Sequence, residues 1–291
     1  MTNAPEQAPL WSVPTIVELM LECGHIARHY FRQPGIGRLK PDQSLVTPAD
    51  EAIEQALARV FDHPETGNFL LGEETVETRS DDYIDAAFRH NAWVVDPIDG
   101  TAPFVNGFEQ WGTSIGLMQH GQLTEGAIFL PCRGELFISS AGQVLHAAAI
   151  GATTTPAAVA LKPLPRVDLE PTPGAMVALS QVAAKGFLFK APNPVQATGC
   201  AVTGFMDLLL GRYLAYISHI KLWDLAGSLP MLMAHGYTGV FLDGQPLTAT
   251  VDDAGYVLQH DSDRRYYLRE GCLFARSAVI PQVLSCFEES S

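Results

Sequence analysis

The sequence predicts a mixed α/β fold, on three observations. Two amphipathic helical patterns open the chain, short strand-like segments separated by turn signals fill residues 113–146, and strand-like and helix-like segments alternate from residue 175. The first helix is expected over residues 13–31, where Ile16, Val17, Met20, Leu21, Gly24, Ala27 and Phe31 share a stripe. Thr15 and Glu18 have capping-box spacing, and Gln33-Pro34-Gly35 ends the pattern. A second helix should start at Thr47 as N-cap, with Pro48 in its first position and Ile53, Ala56, Leu57, Val60 and Phe61 as its apolar face. Asp50 then falls in the first turn, where the helix dipole favours a carboxylate.

Residues 69–71 and 92–95 read as short buried strands ending in Gly72-Glu73-Glu74 and Asp96-Pro97. Segments 113–119, 126–130, 135–139 and 143–146 read as an antiparallel meander, with turns at His120-Gly121, Arg133-Gly134 and Ala141-Gly142. In the second half, residues 175–179, 213–217 and 237–241 read as strands, and 200–210, 224–235 and 278–288 as helices. Residues 1–150 are thus expected as an α+β half with the antiparallel sheet, and 175–291 as an α/β half. Residues 151–174, rich in Ala, Thr and Pro, read as an irregular connection.

Composition limits the function classes. Of 291 residues, 47% are hydrophobic and 17% charged, which excludes global disorder. With 18 Lys and Arg against 32 Asp and Glu, the formal charge is −14. Such a chain is poorly suited to a nucleic-acid polymer or an anionic membrane surface. A small anionic substrate stays open, because a bound divalent cation reverses the local field. The five cysteines are widely spaced and contain no CxxC pair, as expected of reduced thiols. Neither a signal peptide nor a membrane span is evident, so a cytoplasmic protein is expected.

The informative feature is where the carboxylates fall. Asp96 and Asp99 flank a Pro just past a buried strand, and Gly100 permits a tight turn. Converging there, Asp96 could bridge two hard cations and Asp99 serve one. A structural Asx turn is the plain alternative. Glu73 ends a neighbouring strand, where a solvated acid would also be ordinary. Asp224 sits at a helix start, where a capping role is the alternative. The Gly100-Thr101 amides open a turn or short helix that could cradle a phosphate. The segment Lys40-x-Asp42-x-Ser44-x-Val46-Thr47-x-Ala49-Asp50 adds another acid, Asp50.

Taken in order, KPDQSLVTPAD (40–50), GEE (72–74), WVVDPIDGT (93–101), the Gly199-Cys200-Ala201 helix opening and WDLAG (223–227) resemble the inositol monophosphatase family of metal-dependent phosphatases, from about residue 13 to 280. The resemblance implies a layered α/β/α/β/α sandwich, dependence on two or three Mg²⁺ ions and hydrolysis of a small phosphate monoester. It implies that Glu73, Asp96, Asp99, Asp224 and the Ile98 carbonyl hold metal. Thr101 paired with Asp50 would polarise the attacking water, and the Gly100 and Thr101 amides would hold the phosphate. A homodimer is also implied.

Two departures bear on the substrate. Pro103 replaces an Asn that is frequent in the family two residues after the motif Thr. Ile217 stands where inositol-selective members carry a Glu that meets substrate hydroxyls, so inositol preference is in doubt. His219 and Lys221 could meet an anionic leaving group, or form an exposed loop pair. Alternatives are a 3′(2′),5′-bisphosphate nucleotide phosphatase, a histidinol-phosphate phosphatase, and a catalytically silent metal- or phosphometabolite-binding protein. The intact acids argue against the last.

Overall fold

The structure is a computed structural model that describes residues 10–289 other than 34 and 42, so Asp42 of the first motif, Pro34 and the first nine residues lie outside the described residues. The first helix, Val13–Tyr30, forms as expected, but Ser12 precedes it and the Thr15–Glu18 capping box does not form. Thr15 instead donates its hydroxyl to Ser12 Oγ at 3.0 Å. The second helix, Pro48–Phe61, has the expected Thr47 cap, and Asp50 closes a capping box by accepting the Thr47 amide at 2.8 Å. Val60 is 43% exposed and falls off the expected apolar face.

The first sheet has seven strands, in the order Asn68–Gly72, Asn91–Asp99, Gly112–Gln119, Gln122–Leu130, Glu135–Ser140, Gln143–Ala147 and Lys162–Pro163. Only the first pair is parallel; the rest form the expected meander. Both faces are covered. Leu70, Trp93, Val95, Ile115 and Phe129 pack with the two N-terminal helices. Phe69, Leu71, Ala92, Val94 and Ile128 turn to a second core. Burial on both faces explains why these strands read as continuous apolar runs rather than as polar–apolar alternation.

The second sheet has six strands, ordered Val195–Thr198, Val177–Ser180, Ala215–Ser218, Cys272–Arg276, Tyr237–Phe241 and Pro246–Leu247. Val195–Thr198 and Cys272–Arg276 were not expected from sequence. The helix expected over 224–235 is two, Leu222–Ala226 and Leu229–Ala234, broken at Gly227-Ser228. The helix expected over 278–288 is only Ile280–Leu284, followed by a strand at Phe287–Glu289. The connection 151–174 is largely irregular, with one 3₁₀ turn and one two-residue strand.

Helices Ala201–Leu209, Leu222–Ala226 and Leu229–Ala234 lie between the sheets, in a core drawing on Val94 and Phe137 from one and Tyr216 and Phe274 from the other. Helices Gln181–Gly186 and Ile280–Leu284 cover the far face with Val177, Ile217 and Leu273. The result is an α/β/α/β/α sandwich in which one shared core joins the halves. Among the described residues, no helix is long and apolar enough to cross a membrane.

Candidate active site

Asp96 and Asp99 lie on one strand, three residues apart. In a regular strand they would point to opposite faces. The register prevents this: Asp96 pairs with Ser114 and Asp99 with Gly112, so one extra residue bulges between them. The bulge carries Pro97, whose missing N–H would interrupt a regular ladder, and its carbonyl accepts from Thr113 Oγ1 at 2.8 Å.

Asp224 arrives from the helix Leu222–Ala226, which sits almost directly on the backbone of the first sheet. A Cβ at Gly126 would lie 2.1 Å from the Gly227 carbonyl oxygen, and one at Gly227 would lie 2.6 Å from Ser114 Oγ. Two glycines therefore permit the approach. Asp96, Asp99 and Asp224 then each present a carboxylate oxygen within 4.8 Å of the others.

Burial raises the pKa of all three. Asp99 is pushed up to about 8, with Asp224 as the next cause, and Asp224 to about 6, with Glu73 next. Asp96 rises well above the usual range through burial, then through Glu73, Asp99 and Asp224. Protein donors answer only part of the charge. Asp99 Oδ2 accepts from the Val202 amide at the start of Ala201–Leu209 and from Cys200 Sγ at 3.5 Å. Asp224 Oδ2 accepts from the Lys221 amide at 3.0 Å. Among the described residues, Asp96 Oδ1 is buried without a partner. Two buried carboxylates and a half-buried third, with an orphaned oxygen and oxygen ligands only, fit a hard divalent cation.

Glu73 follows the strand Asn68–Gly72, and its amide bonds the Val95 carbonyl at 3.1 Å, which seats it beside Asp96. Its carboxylate is not among the three within 4.8 Å of one another. It pairs with Lys40 at 3.2 Å, and Lys40 also pairs with Glu74 at 2.8 Å. Glu54, a residue that no motif singled out, is buried and accepts from the Glu74 amide at 2.9 Å and from Thr75 Oγ1, fixing this turn. It lies one helical turn beyond Asp50, the only sequence signal it offers.

Gly100 adopts φ +88°, and a Cβ there would lie 2.8 Å from the Gln110 carbonyl oxygen, so glycine is required. The short helix Thr101–Val105 follows. Thr101 Oγ1 donates to the Ile98 carbonyl at 3.0 Å. Asp50 Oδ2 accepts the Thr47 hydroxyl at 2.6 Å, and its Oδ1 is buried and unpartnered. Among the described residues no direct hydrogen bond joins Asp50 to Thr101: capping geometry commits one Asp50 oxygen to Thr47, and the Thr101 hydroxyl bonds the Ile98 carbonyl. Burial raises the Asp50 pKa to about 7, against the Thr47 hydrogen bond.

Ile217 does not meet the cavity. It is fully buried on the far face of the second sheet with Val177, Leu179 and Leu273. The alternation of Ala215–Ser218 decides this: Ala215 and Ile217 face outward and Tyr216 faces the shared core. His219 and Lys221 do line the site. A small cavity of about 220 Å³ opens on Glu73, Asp99 and Asp224 and is also lined by His219 and Lys221. It adjoins a larger one of about 1560 Å³ through Glu73, Val182, His219, Lys221, Trp223 and Tyr267. Segment 260–267, which carries no motif, supplies part of the larger wall.

A family model described as the inositol monophosphatase family matches residues 13–278. A histidinol-phosphatase of Mycobacterium tuberculosis is 32% identical over 113 residues, covering 39% of this chain and 41% of that protein. A Nus factor SuhB of Xylella fastidiosa is 32% identical over 160 residues, covering 50% of this chain and 53% of that protein. The chain thus spans about half the length of the curated relatives it matches. An IMPase from Thermotoga maritima superposes with TM-score 0.66 at 16% identity over 94% of both chains. Inositol monophosphatase-II from Staphylococcus aureus gives 0.65 at 20% identity, covering 92% of this chain and 89% of that one. At these identities the structural likeness speaks for the fold alone. The match of the family model from the first helix to beyond the last strand of the second sheet shows that the chain belongs to the inositol monophosphatase family.

Proposed function

We propose that this chain is a Mg²⁺-dependent phosphatase that hydrolyses a small phosphate monoester. The convergence of the Asp96, Asp99 and Asp224 carboxylates in one cluster, two of them buried and the third half-buried, beside an open cavity carries this reading. These three acids, with Glu73 and the Ile98 carbonyl, would hold two or three ions. Bound Mg²⁺ supplies acidification of water, neutralisation of phosphate oxygens and stabilisation of the departing alkoxide.

The chain's own groups do the rest. The Gly100 and Thr101 amides, which meet no acceptor among the described residues, would hold the phosphate. Asp50 keeps one carboxylate oxygen unpartnered among the described residues, and burial raises its pKa to about 7, so it would take the proton of the attacking water. Thr101 would orient that water, acting with Asp50 through it rather than by a direct bond. Water oxygen forms the new P–O bond, the ester P–O bond breaks, and the alcohol leaves with a proton.

Inositol 1-phosphate, histidinol phosphate and 3′(2′),5′-bisphosphate nucleotides are the substrates to compare, because relatives carry the first two activities in their names and the Lys40-to-Asp50 segment resembles the nucleotide branch. A phosphate-release assay over that panel, with Mg²⁺ and with chelator, tests the reading. Mg²⁺-dependent turnover of any member is expected. No release from any of them by folded, Mg²⁺-binding protein would favour a silent binding protein instead.

A further inference from the structure

The chain is strongly acidic, yet its larger cavity gathers several cations. Most are neutralised by acids. Arg38 pairs with Glu51, Lys40 with Glu73 and Glu74, Arg79 with Asp62 at 2.6 Å, and Arg265 with Asp81 at 3.7 Å. Arg264 differs. Among the described residues it forms no ion pair, although Asp261 and Asp263 line the same cavity. Its guanidinium lies 5.9 Å from the centre of the Tyr267 ring.

The neighbour that holds Arg264 is His219. Arg264 Nη2 is 3.1 Å from His219 Nδ1 and 2.7 Å from Nε2, and Nε2 is also 3.0 Å from the Leu268 carbonyl. Burial and then the Arg264 charge lower the His219 pKa, so the ring is neutral. A neutral ring keeps one bare nitrogen, and that nitrogen accepts from Arg264, which has donors only. Arg264 is thus oriented by a neutral acceptor, and its charge is left uncompensated. A guanidinium in that state matches the fork of a carboxylate or phosphate. The cavity it lines is continuous with the acidic cluster through Glu73, His219, Lys221 and Trp223.

We propose that Arg264, oriented by His219, forms a subsite for a second oxyanion on the alcohol portion of the substrate. This rests on the phosphatase reading above. The site would therefore prefer monoesters whose alcohol bears a carboxylate or a further phosphate over those whose alcohol is neutral. In a protein of this net charge an uncompensated cation at the cavity also offsets repulsion of such substrates.

Two matched pairs test it: glycerol 2-phosphate against 2-phosphoglycerate, and adenosine 2′-phosphate against adenosine 2′,5′-bisphosphate. In the first pair a carboxylate replaces a hydroxymethyl group and in the second a 5′-phosphate is added, with release scored at the 2′ position, so the two pairs separate carboxylate from phosphate. The readout is the ratio of kcat/KM within a pair, with Kd of each compound by calorimetry. Wild type should favour the oxyanion-bearing member of at least one pair by about tenfold, the scale of one charge-assisted contact in a partly open site. Arg264→Gln should bring that ratio near one, and Arg264→Lys should fall between. The wild-type ratio should also decline with added salt, which a purely structural role for Arg264 would not produce. Ratios near one in wild type for both pairs, or a preference unchanged in Arg264→Gln, overturn the proposal. If no compound releases phosphate, the phosphatase reading fails by itself. The subsite then stands or falls on whether Arg264→Gln weakens binding of the oxyanion-bearing compounds alone.

Discussion

Asp96→Asn should stabilise the metal-free protein while abolishing its response to Mg²⁺. Asp96 shares its buried site with two carboxylates whose oxygens lie within 4.8 Å. At that separation and an effective dielectric of about 20, two unit charges repel by about 3.5 kcal/mol, and Asp96 has two such neighbours. The full sum of about 7 kcal/mol is a ceiling, because the cluster discharges itself by taking up protons: Asp99 is raised to about 8 and Asp224 to about 6. At pH 8.5 most of the Asp99 and Asp224 uptake has been lost, while Asp96, itself raised well above the usual range, keeps part of its own, so the gain on replacing Asp96 falls to about 1–3 kcal/mol. At about 2 °C per kcal/mol for a chain of this size, Tm should rise by about 2–6 °C. The same change removes a metal ligand, so turnover should fall at least ~10³-fold. The assay is thermal melting at pH 8.5 with chelator and with Mg²⁺, beside phosphate release. A metal-free Asp96→Asn protein that melts below wild type, or that keeps the wild-type Mg²⁺ shift, would refute the cluster argument.

Three further expectations follow from the same geometry. The acid cluster has folded-state pKa values raised above the unfolded ones, so its contribution to stability is complete below about pH 4 and is lost as pH rises through about 6 to 8. Metal-free protein should therefore melt lower at pH 8.5 than at pH 6, with Mg²⁺ narrowing the gap; a flat or inverted metal-free profile would contradict this. Thr101→Ala and Asp50→Asn should each lower kcat more than they weaken Mg²⁺ binding, with a double mutant less impaired than the product of the single losses; fully multiplicative losses would show that the two act separately. Ile217→Glu should not improve activity on inositol 1-phosphate but should destabilise the fold by about 4 kcal/mol or more, because it buries a carboxylate among Val177, Leu179 and Leu273. A well-folded Ile217→Glu protein, judged by denaturant unfolding, would place that side chain at the cavity after all.

Much of this protein is legible locally. The Thr47–Pro48 helix start, the turns at His120-Gly121 and Ala141-Gly142 and the strands ending in Glu73 and Asp96 follow from caps, positive-φ positions and apolar runs. These signals act within a few residues and survive in one dimension. What brings the acids together does not. Asp96 and Asp99 converge because the pairing register slips by one residue, and register belongs to two strands, not one. Asp224 reaches them because Gly126 and Gly227 let a helix lie on a sheet, and that approach accompanies the break in what reads as one helix over 224–235. The family resemblance sets Ile217 where a Glu would meet substrate hydroxyls, but strand alternation between two buried faces turns its side chain into the far core. Arg264 enters the cavity from a segment without a motif, and its lack of an acidic partner among the described residues is a property of three-dimensional neighbours. Sequence determined which residues carry the chemistry, because residue type and local backbone are short-range properties. Tertiary structure decided which of them face one another, because side-chain direction at this site is set by register and close packing between segments more than 100 residues apart.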